Sequence, residues 1–376
     1  MPPGTEVTPR PERLPEPHRV PGASTRSRRG RGLFRAILPL LALGTAVFFA
    51  GRAAFTGRAA AASKLQVVTT IETLAALAAE VGGPRIDVQS LSRGYQDPHF
   101  VPAKPSLILT LNRADALVYV GLDLESGWLP PLVQQSRNPR IQAGQPGNIN
   151  GSTAIRVEDI PSVPADQLRA LGDVHPLGNP HYWLPPDNAR ALADLMATRF
   201  SELDPGGAGT YQARAQAFDA KLAAKATEWR ARAAQLRGRK VVTYHKSWGY
   251  LTRWLGLDEV GYIEPKPGIP PTAFHTGELI KLMKQAGVHL ILMENYYPRS
   301  LADIIARDTG ARVLALPANV GAVPGARTYF DLVDGIVNAI VEAAGPAPPS
   351  PLPRPAAQPS APPGPGGPAA KPAGPP

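Results

Sequence analysis

Apolar residues recur every three or four positions at Tyr211, Ala215, Phe218, Leu222, Ala226, Trp229, Ala233 and Leu236. That spacing lays one stripe along one face of an α-helix. From Thr210 to Leu236 there is no Pro or Gly, and Ala, Leu, Lys, Arg, Glu and Gln, the strongest helix formers, dominate. The run predicts a rod of roughly 40 Å, longer than an ordinary domain helix. On either side the pattern changes to short apolar runs of strand length alternating with helical periodicity.

Before the rod, Leu65 to Thr69, Ile86 to Leu91 and Ala116 to Gly121 read as strands. Thr69 and Glu72 stand at capping-box spacing ahead of a helix ending at Gly82-Gly83. Pro105 opens a helix through Arg113, Leu122 to Gln135 is helical, Ser136 to Gly178 is loop, and Pro186 to Leu203 is an amphipathic helix. After the rod, strands are expected over Lys240–Tyr244, Val260–Ile263, His289–Met293 and Arg312–Leu316. Helices are expected over Trp248–Leu255, Glu278–Gln285, Arg299–Thr309 and Tyr329–Ala344, with a Pro-rich loop from Glu264 to Pro271. The fold class is therefore α/β: two (β/α) lobes with mostly parallel sheets, joined by a long linking helix, with a cleft between them. The expected boundaries are 63–208 for the first lobe, 209–238 for the helix and 239–344 for the second lobe. Ligands of such sheets bind beyond the carboxyl ends of the strands, and His245 and Glu294 both stand at such ends.

The two ends of the chain do not share this grammar. Ala36 to Gly51 is a nearly continuous apolar run preceded by Arg26, Arg28, Arg29, Arg31 and Arg35 and followed by small residues at Ala59 to Ser63. This reads as a secretory signal over 1–62, or as a membrane anchor if it stays uncut. Ser27-Arg28-Arg29 faintly suggests a twin-arginine signal. Residues 345–376 are nearly all Pro, Ala, Gly and Ser and predict a disordered tail acting as a spacer.

Charge changes little in this picture. The net +10 of the 376 residues draws +7 from the leader, with ten Arg against Glu6, Glu12 and Glu16. No basic run interleaved with aromatics remains, so nucleic acid is not an expected partner. The absence of Cys excludes disulfides, thiolate chemistry and a lipidated cysteine in this exported chain.

Seven histidines are the main chemistry on offer. His18 falls in the leader, His275 stands ahead of a helix and His289 opens a strand, all suited to structural roles. His175 lies in a Gly/Pro loop near His181 and is a candidate accessory ligand. His99, His181 and His245 sit in Asp97-Pro98-His99, Asn179-Pro180-His181-Tyr182-Trp183 and Tyr244-His245-Lys246-Ser247-Trp248. A stiff loop or strand end among aromatics lets a neutral imidazole bind a transition metal. No pair has zinc-finger or H-E-x-x-H spacing, so spacing alone leaves metal binding and a packed structural role both open.

These three motifs, in this order around the long helix, resemble the zinc/manganese-specific periplasmic substrate-binding proteins of ABC transporters, the cluster A-I solute-binding family. Asn112-Arg113-Ala114-Asp115-Ala116-Leu117-Val118-Tyr119-Val120-Gly121 adds to the resemblance, which covers about Lys64 to Ala344. It implies two lobes on a rigid backbone helix and one metal between them, with His99 and His181 from the first lobe and His245 from the second. Histidine in place of a carboxylate at the third position implies Zn²⁺, with Mn²⁺ or another divalent ion as the alternative. The family often has an Asp where Ala326-Arg327-Thr328-Tyr329 holds Arg327. Glu294 is the expected fourth ligand in its stead, with water as second choice; a carboxylate there can equally orient a ligand histidine or cap the next helix. Asp97 is expected to support His99 from behind.

The expected function is a non-enzymatic, high-affinity zinc carrier of the periplasm, a monomer that delivers its ion to an ABC import permease. The competing chemistry is a zinc hydrolase with water in the fourth position and Glu294 as base, and no Gly-rich oxyanion loop supports it. An adhesin prompted by the Pro-rich tail is a third and weaker reading.

Overall fold

Among the described residues, eight short strands pair into two four-stranded sheets, and every pairing in both is parallel. The computed structural model describes residues 63–162, 175–264 and 269–345. The expected leader (1–62), all but the first residue of the expected tail (345–376), and parts of the expected loops 136–178 and 264–271 lie outside them. The first sheet contains β1 (Leu65–Thr69), β2 (Ile86–Ser90), β3 (Ala116–Tyr119) and β4 (Asn148–Asn150) in the order β2-β1-β3-β4. The second contains β5 (Lys240–Thr243), β6 (Asp258–Tyr262), β7 (Leu290–Glu294) and β8 (Arg312–Leu316) in the order β6-β5-β7-β8. The same winding thus occurs twice. In each sheet the chain leaves its first strand to one side and returns on the other, which creates a crevice at the carboxyl ends, the position where open α/β sheets bind ligands. The central β7 (LILME) is buried throughout, as a strand covered by helices on both faces must be.

Nine helices cover the sheets among the described residues: α1 (Glu72–Gly82), α2 (Pro105–Arg113), α3 (Leu129–Ser136), α4 (Pro186–Leu203), α5 (Ala208–Ala233), α6 (Gly249–Leu255), α7 (Ala273–Ala286), α8 (Ser300–Thr309) and α9 (Tyr329–Ala344). The rod read from the apolar stripe is α5, continued by a 3-10 turn over Ala234–Leu236. Its whole stripe is buried. It packs against α1 and α4 of the first lobe and α9 of the second. Trp229 Nε1 donates to Asp334 Oδ1 of α9 at 2.7 Å, and Arg214 Nε donates to the Glu80 carbonyl of α1 at 2.7 Å. Beside the rod, Trp183 Nε1 donates to the Ala318 carbonyl (2.8 Å) and the Tyr329 hydroxyl to the Leu184 carbonyl (2.6 Å). One apolar cluster runs without interruption from Leu65 through the rod to Ile340. The lobes therefore share a core along this side.

Several elements depart from the sequence reading, each for a local reason. The Thr69–Glu72 capping box does not form: Thr69 Oγ1 donates to the Ile71 carbonyl, and Glu72 instead accepts from Gly94 N at 3.1 Å. A capping box occurs at Thr328–Asp331, at the start of α9. The expected helix from Leu122 begins only at Leu129. Gly121, Leu122 and Asp123 all have positive φ, and buried Glu125 turns back to accept from Val120 N, Gly121 N and the Thr70 hydroxyl. The loop from Ser136 contains a fourth strand, β4. Helix α7 starts at Ala273 rather than Glu278, because Thr272 caps it through His275 N at 3.1 Å.

Trp229 is fully buried where both lobes meet the rod. Trp229→Ala is expected to lower stability by about 3–5 kcal/mol, read as a lower urea midpoint with an unchanged m-value.

Candidate metal centre

Two copies of one local device set the first two histidines. In Asp97-Pro98-His99, Asp97 Oδ1 accepts from the His99 amide (3.0 Å) and from its ring Nδ1 (2.7 Å). In Asn179-Pro180-His181, Asn179 Oδ1 accepts from the His181 amide (3.0 Å) and from its ring Nδ1 (2.9 Å). Asx side chains readily bond the backbone two residues on, and the proline between fixes one more dihedral. With Nδ1 held as a donor, each ring keeps its lone pair on Nε2. Both loops are themselves tied down. Trp128 Nε1 donates to the Pro98 carbonyl at 2.9 Å, and Asn179 Nδ2 donates across to the Lys246 carbonyl of the second lobe at 2.9 Å.

His245 stands two residues past the end of β5, so the sheet itself aims it into the crevice. Its Nδ1 faces Glu264 Oε2 at 3.5 Å, and Glu264 is anchored through its amide to the Tyr244 carbonyl at 2.7 Å. The stacked rings of Tyr244 and Tyr297 (4.7 Å) wall this side, and the Tyr297 hydroxyl reaches Asp97 Oδ2 at 3.3 Å. Histidines from both lobes thus meet. Ring centroids are 5.1 Å apart for His99–His181, 5.4 Å for His99–His245 and 5.1 Å for His181–His245. One nitrogen from each lies within 4.8 Å of the other two. The three residues are only 6 %, 3 % and 1 % exposed.

Burial keeps His181 and His245 neutral, with the crowding of neighbouring histidines adding to it. Burial, then the neighbouring histidines, push His181 well below its ordinary pKa. Burial also lowers His245, against the opposing pull of Glu264. For Asp97, burial acts upward but is outweighed by its bonds to His99, so the carboxyl stays below the ordinary carboxylate range. Asp97 therefore stays ionised as the orienting partner expected of it. The result is a buried pocket of imidazole nitrogen donors, suited to a divalent transition ion.

The other expected site residue, Glu294, ends β7 and is fully buried with neither carboxylate oxygen hydrogen-bonded. Its oxygens lie outside the three-histidine group. Burial pushes its pKa well above the ordinary value, and repulsion from Asp97 and Glu264 adds to this. Arg327 lies just before the Thr328 cap of α9 and brings no acid to the centre. Two neighbours of the site were missed or underrated in sequence. Glu264 was read only as the start of a Pro-rich loop, although its position just past a strand end was a usable signal. His175 stands with its ring stacked on His99 at 5.3 Å, and burial lowers its pKa to about 3. His275, by contrast, bonds the Tyr262 carbonyl through Nε2 at 2.9 Å and is structural.

Comparison with known proteins supplies the context for this geometry. The family model described as "Zinc-uptake complex component A periplasmic" (ZnuA) matches residues 67–343. The "High-affinity zinc uptake system protein ZnuA" of Paracoccus denitrificans is 27% identical over 299 residues, 74% of this chain and 92% of that protein. The "Iron-binding protein YfeA" of Yersinia pestis is 25% identical over 296 residues, 76% of this chain and 88% of that one. A crystal structure of ZnuA superposes with a TM-score of 0.62 at 24% identity, covering 75% of this chain and 99% of that chain, and shares the fold.

The depressed histidines make metal-free stability sensitive to acid. In the unfolded chain these rings take up protons near pH 6.5; in the fold His175, His181 and His245 resist doing so. The unfolded state then binds more protons between those values, so stability falls as pH drops below about 6.5, by about 1.4 kcal/mol per pH unit for each affected ring. Urea unfolding of the metal-free protein between pH 7.5 and 5 checks this, and His181→Asn is expected to flatten the slope.

Proposed function

This chain belongs to the zinc-uptake complex component A family, and from that premise we propose that it captures Zn²⁺ between its lobes and passes it to an ABC import permease. The family is one of uptake components, not of enzymes. The observation that carries the reading is the convergence of three buried imidazoles from both lobes, their nitrogens within 4.8 Å of one another. His99 and His181 of the first lobe and His245 of the second hold the ion.

Asp97, Asn179 and Glu264 face Nδ1 of these rings and position them. Such outer partners make ligand nitrogens more basic and fix their direction. The all-nitrogen group favours Zn²⁺ over Mn²⁺, which prefers oxygen donors. Glu294 supplies a buried carboxyl near Asp97 and Glu264, the two acids beside His99 and His245, and so adjusts the charge around the ligands rather than joining the three-ring group.

Members of this family are periplasmic or lipoprotein-anchored solute-binding proteins, and the periplasm is the compartment proposed here. This chain reaches it through the leader of residues 1–62, acts as a monomer and takes no nucleic acid, since most of its surplus charge belongs to that leader. No helix among the described residues is long and apolar enough to cross a membrane.

Zinc retention by the purified protein, measured by elemental analysis after dialysis, tests the assignment. The unaltered protein is expected to hold one equivalent, and any pair among His99→Ala, His181→Ala and His245→Ala to hold none. Pairs that still retain one tight equivalent would show that the site has been misplaced.

A further inference from the structure

Three imidazoles leave one corner of a tetrahedron unfilled, and a fourth imidazole stands beside it. His175 Nε2 lies 3.3 Å from His99 Nε2, and its ring centroid is 5.8 Å from that of His181. We propose that His175 supplies the fourth nitrogen to the zinc ion, so that the site consists of four imidazoles, three from the first lobe and one from the second. The proposal rests on the carrier reading above and adds to it a ligand and a metal preference.

The separation of the two nitrogens is the first reason. Tetrahedral zinc with Zn–N bonds of 2.0–2.1 Å sets ligand nitrogens about 3.3–3.4 Å apart, and His99 and His175 already stand at that distance. The second reason is the tautomer. Asp97 holds the His99 proton on Nδ1, so His99 Nε2 presents a lone pair to His175. Without a metal, the contact between the two Nε2 atoms is satisfied by a proton on His175 Nε2, which leaves its buried Nδ1 with no hydrogen-bond partner. Zinc takes the place of that proton, the proton moves to Nδ1, and the ring stays neutral throughout.

The backbone around His175 is built to hold it there. Gly178 N donates to the His175 carbonyl at 3.2 Å, and Asn179 N donates to the Glu158 carbonyl at 2.9 Å. Gly178 has φ +109°, and a Cβ at this residue would lie 2.2 Å from Val157 Cγ1, so only glycine makes this turn. The turn leads directly into Asn179, the residue that orients His181. His175 is half-buried, where the other three are buried. It lies outside the group whose nitrogens are all within 4.8 Å of one another, so binding requires its ring to turn inward about its side-chain bonds.

Glu294, the rival for this corner, is less suited. It is outside the same group, and its charge is opposed by burial and by Asp97 and Glu264. Four nitrogen donors also exclude Mn²⁺ more strongly than three nitrogens and an oxygen would.

X-ray absorption at the zinc edge of the loaded, full-length protein, with chelator competition on His175→Gln, tests this. The unaltered protein is expected to show four imidazoles. His175→Gln is expected to keep one equivalent with three imidazoles and one oxygen, and to bind at least about tenfold more weakly, the lower end of what losing even a supporting partner costs. Three imidazoles plus one oxygen in the unaltered protein would overturn the proposal and leave the carrier reading intact, as would His175→Gln with unchanged affinity. A protein that holds no zinc would overturn the carrier reading itself. The spectrum of the unaltered protein is decisive even if the variant folds poorly.

Discussion

The site depends on which ring nitrogen of each histidine carries the proton. An imidazole can bind a metal only through a nitrogen with a free lone pair, and a neutral ring has one such nitrogen. Here an Asx side chain two residues earlier claims Nδ1 of both His99 and His181, through near-identical bonds of 2.7 and 2.9 Å. The proline in between shortens the list of conformations the loop can adopt. Burial then keeps the His181 ring uncharged at neutral pH, since protonation would place a cation in a dry pocket beside other histidines. The chain's own side chains thus fix the direction of these two donors, which limits the reorganisation that binding asks of them.

That arrangement needs two lobes held at one separation, and the packing provides it. The rod α5 buries its apolar face against helices of both lobes, and one continuous core passes through it. Near the site the lobes are also stitched by polar contacts. Asn179 reaches the Lys246 carbonyl, the Tyr250 hydroxyl reaches the Asn179 carbonyl at 2.9 Å, and Arg253 pairs with Glu158. Asn179 is the junction of these two functions: it orients a ligand ring and ties its loop to the opposite lobe. The inter-lobe distance and the ligand geometry are therefore coupled through a single side chain.

Much of this was legible in the sequence where the signal was long or chemically marked. The stripe from Tyr211 to Leu236 could only be a helix, and the apolar runs at β1 and β7 could only be strands. The two Pro-His loops and the strand-end His245 stood out as candidate ligands, but their spacing left a packed role equally open, and it was their order around the long helix, through the family resemblance, that pointed to one metal. What escaped was short or set by contacts distant in the chain. Strand β4 is three residues long, and only Ile149 of Asn148-Ile149-Asn150 is buried, so it has no periodicity to read. The turn at Leu122–Asp123 is stabilised by Glu125 bonding back to β1 and the end of β3, a tertiary effect that overrides a helical pattern. Thr69 and Glu72 had capping-box spacing, yet each found a different partner. His175 stacks on His99 and Glu264 faces His245, contacts that only the folding of each lobe brings about.

The central claim is that His99, His181 and His245 share one zinc ion between the lobes, and anomalous diffraction from zinc-loaded crystals tests it most directly. A single anomalous peak is expected about 2.0–2.1 Å from one nitrogen of each of these three rings. A peak bound elsewhere on the molecule, or a well-ordered cluster with no peak after loading, would contradict it.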